Sequence, residues 1–160
     1  MAHDMFIKID DIKGESVDAK HADEIDILSW KWGMTQTGTA HKGPGGGAGK
    51  VQVNDLKITK YVDRSSPLLL KLCCSGKHLK TAALVVRKAG GTPLEYLTIT
   101  MEDLIIAAVD HGGTGTDDKL TEDVTLNFAR VKLEYVPQKK DGSGGASIPM
   151  GWDIAGNQET

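Results

Sequence analysis

Hydrophobic and polar residues alternate with a period of two along several stretches of the chain. Met5, Ile7 and Ile9 occupy every second position near the start. This period places apolar side chains on one face of a β-strand. Further strands are predicted over 82–87, 96–100 and 104–109.

The alternation changes phase within the longer stretches. Between residues 24 and 34, Ile25 and Ile27 lie on one parity. Leu28 and Trp30 lie on the other parity. A one-residue slip moves every following side chain to the opposite face, so a phase change marks a bulge or bend. Similar changes occur within 51–58 and 124–135. Long strands with repeated bends favour a closed, strongly curved sheet over a flat one.

One helix is predicted, beginning near Ser66. Ser66 is a suitable N-cap, and Pro67 suits the first helical position because no bond requires its missing amide proton. The mostly apolar run over 68–74 continues the helix, and Gly76 supplies a left-handed stop. Many strands and one short helix predict a mainly β fold.

Length and charge exclude several classes of function. The 160 residues suit a single domain, 1–160, with its own core. The net charge is −3, and a chain this mildly acidic lacks the excess of basic residues that binds nucleic acid. No nucleic-acid partner is therefore expected. No apolar run approaches the roughly 20 residues needed to cross a bilayer, so no membrane insertion is expected. The N-terminus shows no signal peptide, which predicts folding in the cytoplasm.

Glycine supplies 19 of the 160 residues and is concentrated in three clusters. These clusters, over 43–49, 112–115 and 142–145, predict long glycine-rich loops. The first cluster ends at Gly49 and Lys50, which invites comparison with a phosphate-binding loop. However, Pro44 replaces the first glycine of that motif and Val51 replaces its hydroxyl residue. Nucleotide binding is therefore not predicted.

The sequence shows no catalytic or metal-binding constellation. The five histidines are scattered without the close pairing that zinc sites use. Cys73 and Cys74 are adjacent, so their side chains diverge on a helix, and we interpret them as structural. His21 is interpreted as a buried histidine that fixes a loop. We therefore predict no enzyme activity, no cofactor and no metal.

Several short motifs occur in the order and at the spacing of a known family. They are Met5-Phe6-Ile7-Lys8-Ile9 with Gly14-Glu15-Ser16, Glu24-Ile25-Asp26-Ile27-Leu28 followed by Trp30, Trp32 and Gly33, Thr59-Lys60-Tyr61-Val62-Asp63 before Ser66-Pro67-Leu68, Thr121 to Phe128, Tyr135-Val136-Pro137-Gln138, and Gly151-Trp152-Asp153-Ile154. Taken together, the chain resembles the Hcp family (haemolysin-coregulated proteins), the inner-tube subunits of the bacterial type VI secretion system.

The resemblance implies a closed barrel of two packed antiparallel β-sheets flanked by one short helix. It also implies homohexameric rings that stack into a tube, with a spike protein at the tip and a contractile sheath outside. Members of the family carry effector toxins in the ring. The chain is therefore expected in the cytoplasm and, after secretion without a signal peptide, outside the cell.

One face of the stretch 28–34 is predicted to line the central hole of such a ring. Alternate residues carry large apolar side chains that we expect to fill the barrel, namely Leu28, Trp30, Trp32 and Met34. Strand alternation directs the intervening residues to the lumen, namely Ser29, Lys31 and Gly33.

Residues 37–49 are predicted to contact a neighbouring subunit or ring. Apart from Pro44, their largest apolar side chain is alanine, so the segment cannot pack onto the core by itself. Fixing such a chain costs about 1–2 kcal/mol per residue in backbone entropy, which a lone subunit does not repay. We therefore expect ordering only against a neighbour. The contact is assigned to His41, Lys42, Gly43, Pro44, Gly45, Gly46, Gly47, Ala48 and Gly49.

Two other classes of function remain open from the residues alone. In a soluble monomeric ligand-binding β-barrel, Trp30 and Trp32 would stand at the mouth of a cavity. An enzyme would instead show paired titratable groups in a pocket. Hydrolytic turnover by the purified protein would favour an enzyme. The mass of a single chain would favour the monomeric barrel, because a ring is several times heavier.

Overall fold

The computed structural model describes residues 3–38 and 49–160, and within these ranges it contains eleven β-strands and one α-helix. The strands are β1 (His3–Ile9), β2 (Ile25–Asp26), β3 (Ser29–Lys31), β4 (Met34–Thr35), β5 (Gln52–Val53), β6 (Leu56–Tyr61), β7 (Leu79–Lys88), β8 (Leu94–Gly112), β9 (Thr121–Tyr135), β10 (Ile148–Asp153) and β11 (Gln158–Glu159). Helix α1 (Ser66–Ser75) lies between β6 and β7. The predicted mainly β class with one short helix is confirmed.

Every pair of neighbouring strands is antiparallel. Nine strands form one sheet, which runs from β11 through β10, β9, β8, β7 and β1 to β2. Strand β6 joins this sheet by pairing with β9 and carries β3 on its other side, while β4 and β5 form a separate pair. The closure of this sheet into a barrel of two packed sheets stays a prediction.

The bends predicted from the phase changes take two forms. Residues 25–35 are divided into the short strands β2, β3 and β4 instead of one bent strand. The predicted strands 96–100 and 104–109 are, in contrast, two parts of β8. Asp103 between them has a φ of 52°. The register of β8 against β9 also shifts between Ile106 and Ala108, which marks a bulge.

Buried apolar side chains from seven elements form the hydrophobic core. Its fully buried members include Ile7, Leu56, Ile58, Leu69, Leu84, Ile99, Met101 and Leu126. Burial of each such side chain contributes about 1.5–3 kcal/mol. Trp30 and Trp32 lie half-buried against this core, but Met34 is 41% exposed, so the prediction that Met34 fills the interior is wrong. Trp32 remains at the margin because its indole Nε1–H donates to the carbonyl of Asn54 at 2.9 Å.

Helix α1 has the predicted stop but a different cap. Ser65 occupies the N-cap position and Ser66 is the first helical residue, so the prediction of Ser66 as the cap is wrong. The Ser66 hydroxyl instead donates to Glu122 Oε1 at 2.6 Å. Gly76 has a φ of 63°, and its N–H donates at 3.0 Å to the carbonyl four residues earlier. Glycine takes this left-handed conformation without a steric penalty.

Candidate interaction face

The register of four strands places Ser29 in a row of polar residues. Ser29 lies opposite Thr59 across the β3–β6 pair. Thr59 lies opposite Asp123 across β6–β9, and its hydroxyl donates to Asp123 Oδ1 at 2.6 Å. Asp123 in turn lies opposite Asp110 on β8. All four side chains are exposed or half-buried.

Lys31 belongs to a second row on the same face, two residues further along each strand. Lys31 lies opposite Lys57, and Lys57 lies opposite Thr125. Thr125 is opposite Ala108 on β8. Strand alternation puts both rows on one side of the sheet, about 6–7 Å apart. We call these eight residues the polar face.

The polar face carries charges of both signs, on two lysines and two aspartates that lie among small uncharged side chains. Lys31 and Lys57 are directly opposite one another, as are Asp110 and Asp123. Like charges in directly opposite positions destabilise a sheet slightly. Both pairs therefore gain from an oppositely charged group supplied from outside, which makes this face suited to contacts with another polar molecule. Gly33 lies beyond β3, half-buried, and its carbonyl accepts a hydrogen bond from the Asn54 N–H at 3.0 Å.

A buried ionic cluster lies behind the polar face. The Lys60 ammonium, which is completely buried, donates to Glu122 Oε1 and to Asp63 Oδ1, the latter at 3.0 Å. Ser66 also donates to Glu122 Oε1. His111 Nε2 lies 2.5 Å from the other Glu122 oxygen. The cluster ties β6, β8, β9 and the start of α1 together, because a buried charge is tolerated only when it is paired and hydrogen-bonded.

His21 fixes the loop between β1 and β2, as predicted. Its imidazole is buried, with Nδ1 2.8 Å from Glu24 Oε2 and Nε2 2.6 Å from Glu95 Oε1. The ring stacks on Phe6 with a centroid distance of 4.4 Å. Both ring nitrogens are thus engaged in holding the loop against β1 and β8.

Arg87 holds the same loop through Asp18. Its guanidinium donates to both carboxylate oxygens of Asp18, at 3.1 and 2.5 Å, and to Asp4 Oδ2 at 3.2 Å. The guanidinium also lies over the Phe6 ring, 5.2 Å from its centroid. The hydrogen bonds from Arg87 hold the pKa of Asp18 well below its usual range. Asp18 and Asp4 likewise raise the pKa of Arg87.

Most of the predicted inter-subunit loop lies outside the described residues. This applies to His41, Lys42, Gly43, Pro44, Gly45, Gly46, Gly47 and Ala48. Gly49 is described and exposed, and it lies beside Thr37, whose hydroxyl would be 3.3 Å from a Cβ at position 49.

Two kinds of feature are absent from the described part of the chain. In residues 3–38 and 49–160, no three His, Cys, Asp or Glu side chains are grouped as a metal ion would require. Helix α1, at 10 residues, cannot traverse a bilayer, and the same residues contain no longer helix.

Sequence reasoning proposed Ser29 and Lys31 as site residues but did not identify the residues that lie beside them on the polar face. Thr59 and Asp123 are far from Ser29 in sequence, and only the pairing register brings them together. Lys60 was also missed, although a signal existed. It shares the parity of Leu56 and Ile58, which are both buried.

The chain matches known proteins along nearly its whole length. The family model described as "Type VI secretion system effector, Hcp" matches residues 6–135. Protein hcp1 of Pseudomonas aeruginosa is 55% identical over 159 residues, which are 98% of this chain and 98% of that protein. The crystal structure of Hcp1 from Salmonella typhimurium is 43% identical, has a TM-score of 0.82 and covers 100% of both chains.

A third comparison supports the fold at lower identity. The solved structure of a type six secretion system protein is 28% identical and has a TM-score of 0.94, covering 99% of this chain and 100% of that chain. The overall fold is thus shared with solved relatives at 43% and at 28% identity. The chain belongs to the Hcp family of type VI secretion system effectors.

Proposed function

We propose that this protein is a structural subunit of the inner tube of a type VI secretion system. Six copies close head-to-tail into a ring, and rings stack into a tube that is secreted without a signal peptide. The observation that carries the proposal is the match to Protein hcp1, which extends over 98% of both chains. A head-to-tail ring needs two different surfaces on each subunit, and long loops between strands provide them.

The lumen of the ring is proposed to be lined by the polar face. Ser29 and Lys31, predicted from alternation alone, lie on it together with Thr59, Lys57 and Asp123. Small hydroxyl side chains leave space, while the charged pairs offer hydrogen bonds and ion pairs to an effector toxin carried inside. Gly33, at the end of the same segment, is proposed to extend this lining.

The other proposed partners follow from the family. A spike protein caps the tube at its tip, and a contractile sheath surrounds it. The segment 37–49 is proposed to contact the neighbouring subunit or ring, because its glycine-rich sequence has no large apolar side chain for its own core.

We infer that the nine-stranded sheet closes into a barrel through residues 27 and 28. The Ile27 N–H donates to the Met5 carbonyl of β1 at 3.0 Å. The next amide, of Leu28, donates to the Thr59 carbonyl of β6 at 2.8 Å. Consecutive amides thus bond to the two strands between which the sheet would otherwise be open. Slow hydrogen exchange at both amides is expected, and rapid exchange at either would refute closure there.

The ring is tested by mass. Sedimentation velocity at tens of micromolar should show a species about six times 17.2 kDa. A species of one chain mass at every concentration would overturn the ring and favour a monomeric barrel.

The lumen assignment is tested by two substitutions, one that enlarges a small side chain and one that shortens a long side chain and removes its charge. Ser29→Gln and Lys31→Gln should leave the ring mass unchanged and reduce the amount of effector that copurifies. Lys80→Gln, on the exposed side of β7, is the matched control. Unchanged copurification with both lumen variants would remove the assignment, and loss of the ring would mean that this face is an interface instead.

A further inference from the structure

Two adjoining cavities, of about 430 and 510 Å³, share Asp26, Tyr61 and Lys119 in their walls. Together they form one surface groove, which we call the acidic groove. Its defining residues are Glu15, Val17, Asp26, Tyr61, Lys119 and Leu120. This groove adjoins the polar face, because Tyr61 lies on the same side of β6 as Lys57 and Thr59. It lies at the junction of the β1–β2 loop, the end of β6 and the start of β9.

The rim of the acidic groove is apolar and rigidly held. Val17 is 98% exposed, and Leu120 and Tyr61 are exposed to 51% and 40%. The loop that carries Val17 is nevertheless fixed on both sides of it, by buried Ser16 and by the ion pair between Asp18 and Arg87. An apolar side chain held fully in solvent on a fixed loop gains free energy only when another molecule covers it.

The floor of the groove carries negative charge without an ionic partner. Among the described residues, no Lys, Arg or His forms an ion pair with Asp26. The Lys119 ammonium, although close by, lies 4.9 Å over the Tyr61 ring. Partial burial, and then the nearby carboxylate of Asp63, raise the pKa of Asp26. A cation that entered the groove would relieve both effects.

An apolar rim above an acidic floor fits a lysine. The aliphatic stem of a lysine packs along apolar surface while its ammonium reaches a carboxylate. One place where the described residues present two such side chains together is the turn between β9 and β10. Lys139 and Lys140 are both exposed, and neither forms an ion pair within the described residues.

The turn that carries these lysines is pre-organised. The Lys139 N–H donates to the Ser143 carbonyl at 2.8 Å, and the Gly142 N–H donates to the Lys139 carbonyl at 2.9 Å. Asp141 Oδ1 accepts hydrogen bonds from both the N–H and the hydroxyl of Ser143. Binding by a turn already held in shape costs little conformational entropy.

We propose that the Lys139–Lys140 turn of one copy of this chain binds in the acidic groove of a neighbouring copy. The turn follows the last residue of β9, whereas Lys119 and Leu120 directly precede its first residue. Groove and turn are therefore different surfaces of one subunit, as a head-to-tail assembly requires. The inference rests on the proposed self-assembly and names the surfaces that make one of its contacts.

The test reverses the charge of each surface separately and then of both. Lys139→Glu/Lys140→Glu should raise the dissociation constant of the assembly at least about tenfold, because like charges then meet across the contact. Lys71→Glu/Lys77→Glu, in and just after α1, makes the same change of net charge and should leave assembly unchanged. Combining Asp26→Lys with Lys139→Glu/Lys140→Glu should restore assembly. Asp26→Asn is a milder second variant, should Asp26→Lys alone fail to fold by circular dichroism.

Sedimentation velocity over a dilution series and electron microscopy of tubes give the readout. Loss of ring mass places the contact within a ring, and loss of tubes alone places it between rings, so either result supports the proposal. Normal assembly of Lys139→Glu/Lys140→Glu would overturn the proposed contact while leaving the proposed tube function intact. A wild-type protein that is monomeric throughout would overturn both.

Discussion

Lys60 lies directly opposite Glu122 across the β6–β9 pair, and its ammonium donates to the Glu122 carboxylate in the interior. Both side chains are fully shielded from solvent. The pair stands between the polar face and the first turn of α1, where the Ser66 hydroxyl also donates to Glu122 Oε1. It therefore positions α1 against β9. Its value lies in this positioning, because a buried ion pair contributes little net stability against apolar replacements.

Removing one partner of this pair should be far more costly than removing both. Lys60→Met leaves a buried carboxylate without its cation and should lower the free energy of unfolding by about 3–5 kcal/mol. The double variant Lys60→Met/Glu122→Leu should recover much of that loss. Urea unfolding of the two single variants and the double variant measures the coupling. Additive effects would show that the two side chains do not interact as described.

Asp18→Asn should destabilise the protein at neutral pH. Because hydrogen bonds from Arg87 hold the pKa of Asp18 below its ordinary value of 3.8, the ionised form stabilises the fold. That contribution is complete above the ordinary pKa and is lost as pH falls toward the lower folded-state pKa. The difference in melting temperature between wild type and Asp18→Asn should therefore shrink below about pH 4. Asp118→Asn, which makes the same substitution in the exposed loop before β9, is the matched control.

Gly14 permits a close approach between two backbone segments. A Cβ at this position would lie 2.4 Å from the Glu24 carbonyl oxygen and 2.8 Å from the Ile25 Cα. Both atoms belong to the backbone and cannot rotate away, so Gly14→Ala should cost about 1–3 kcal/mol, as overpacking does elsewhere. Gly91→Ala meets nothing within 4 Å and is the control. Equal urea midpoints for the two variants would contradict this account.

Local patterns in the sequence were sufficient to predict the helix and the directions of some side chains. The stop at Gly76 and the burial of His21 follow from residue chemistry, and the outward direction of Ser29 follows from alternation. The pairing register of the strands could not be predicted in this way, because it depends on contacts between residues distant in sequence. Lys60 and Glu122 are separated by 62 positions. A lysine at a core parity is ambiguous until its partner is known, since lysine is seldom buried unless paired.

Asp26→Asn should raise the stability of the subunit at neutral pH and weaken its assembly. Burial and the neighbouring Asp63 raise the folded-state pKa of Asp26 above its ordinary value of 3.8, so ionisation at neutral pH destabilises the subunit. The amide carries no charge, and the variant should therefore unfold at higher urea concentration at pH 7. This gain should vanish below about pH 4, where the wild-type carboxyl is protonated in both states.

Assembly should weaken in the same variant, because the carboxylate that would pair with the lysine turn is lost. Unfolding is measured at concentrations below assembly, and sedimentation above it. A variant that loses subunit stability at pH 7 would contradict the destabilising effect of the Asp26 charge. One that assembles as tightly as wild type would contradict the role of Asp26 in the acidic groove.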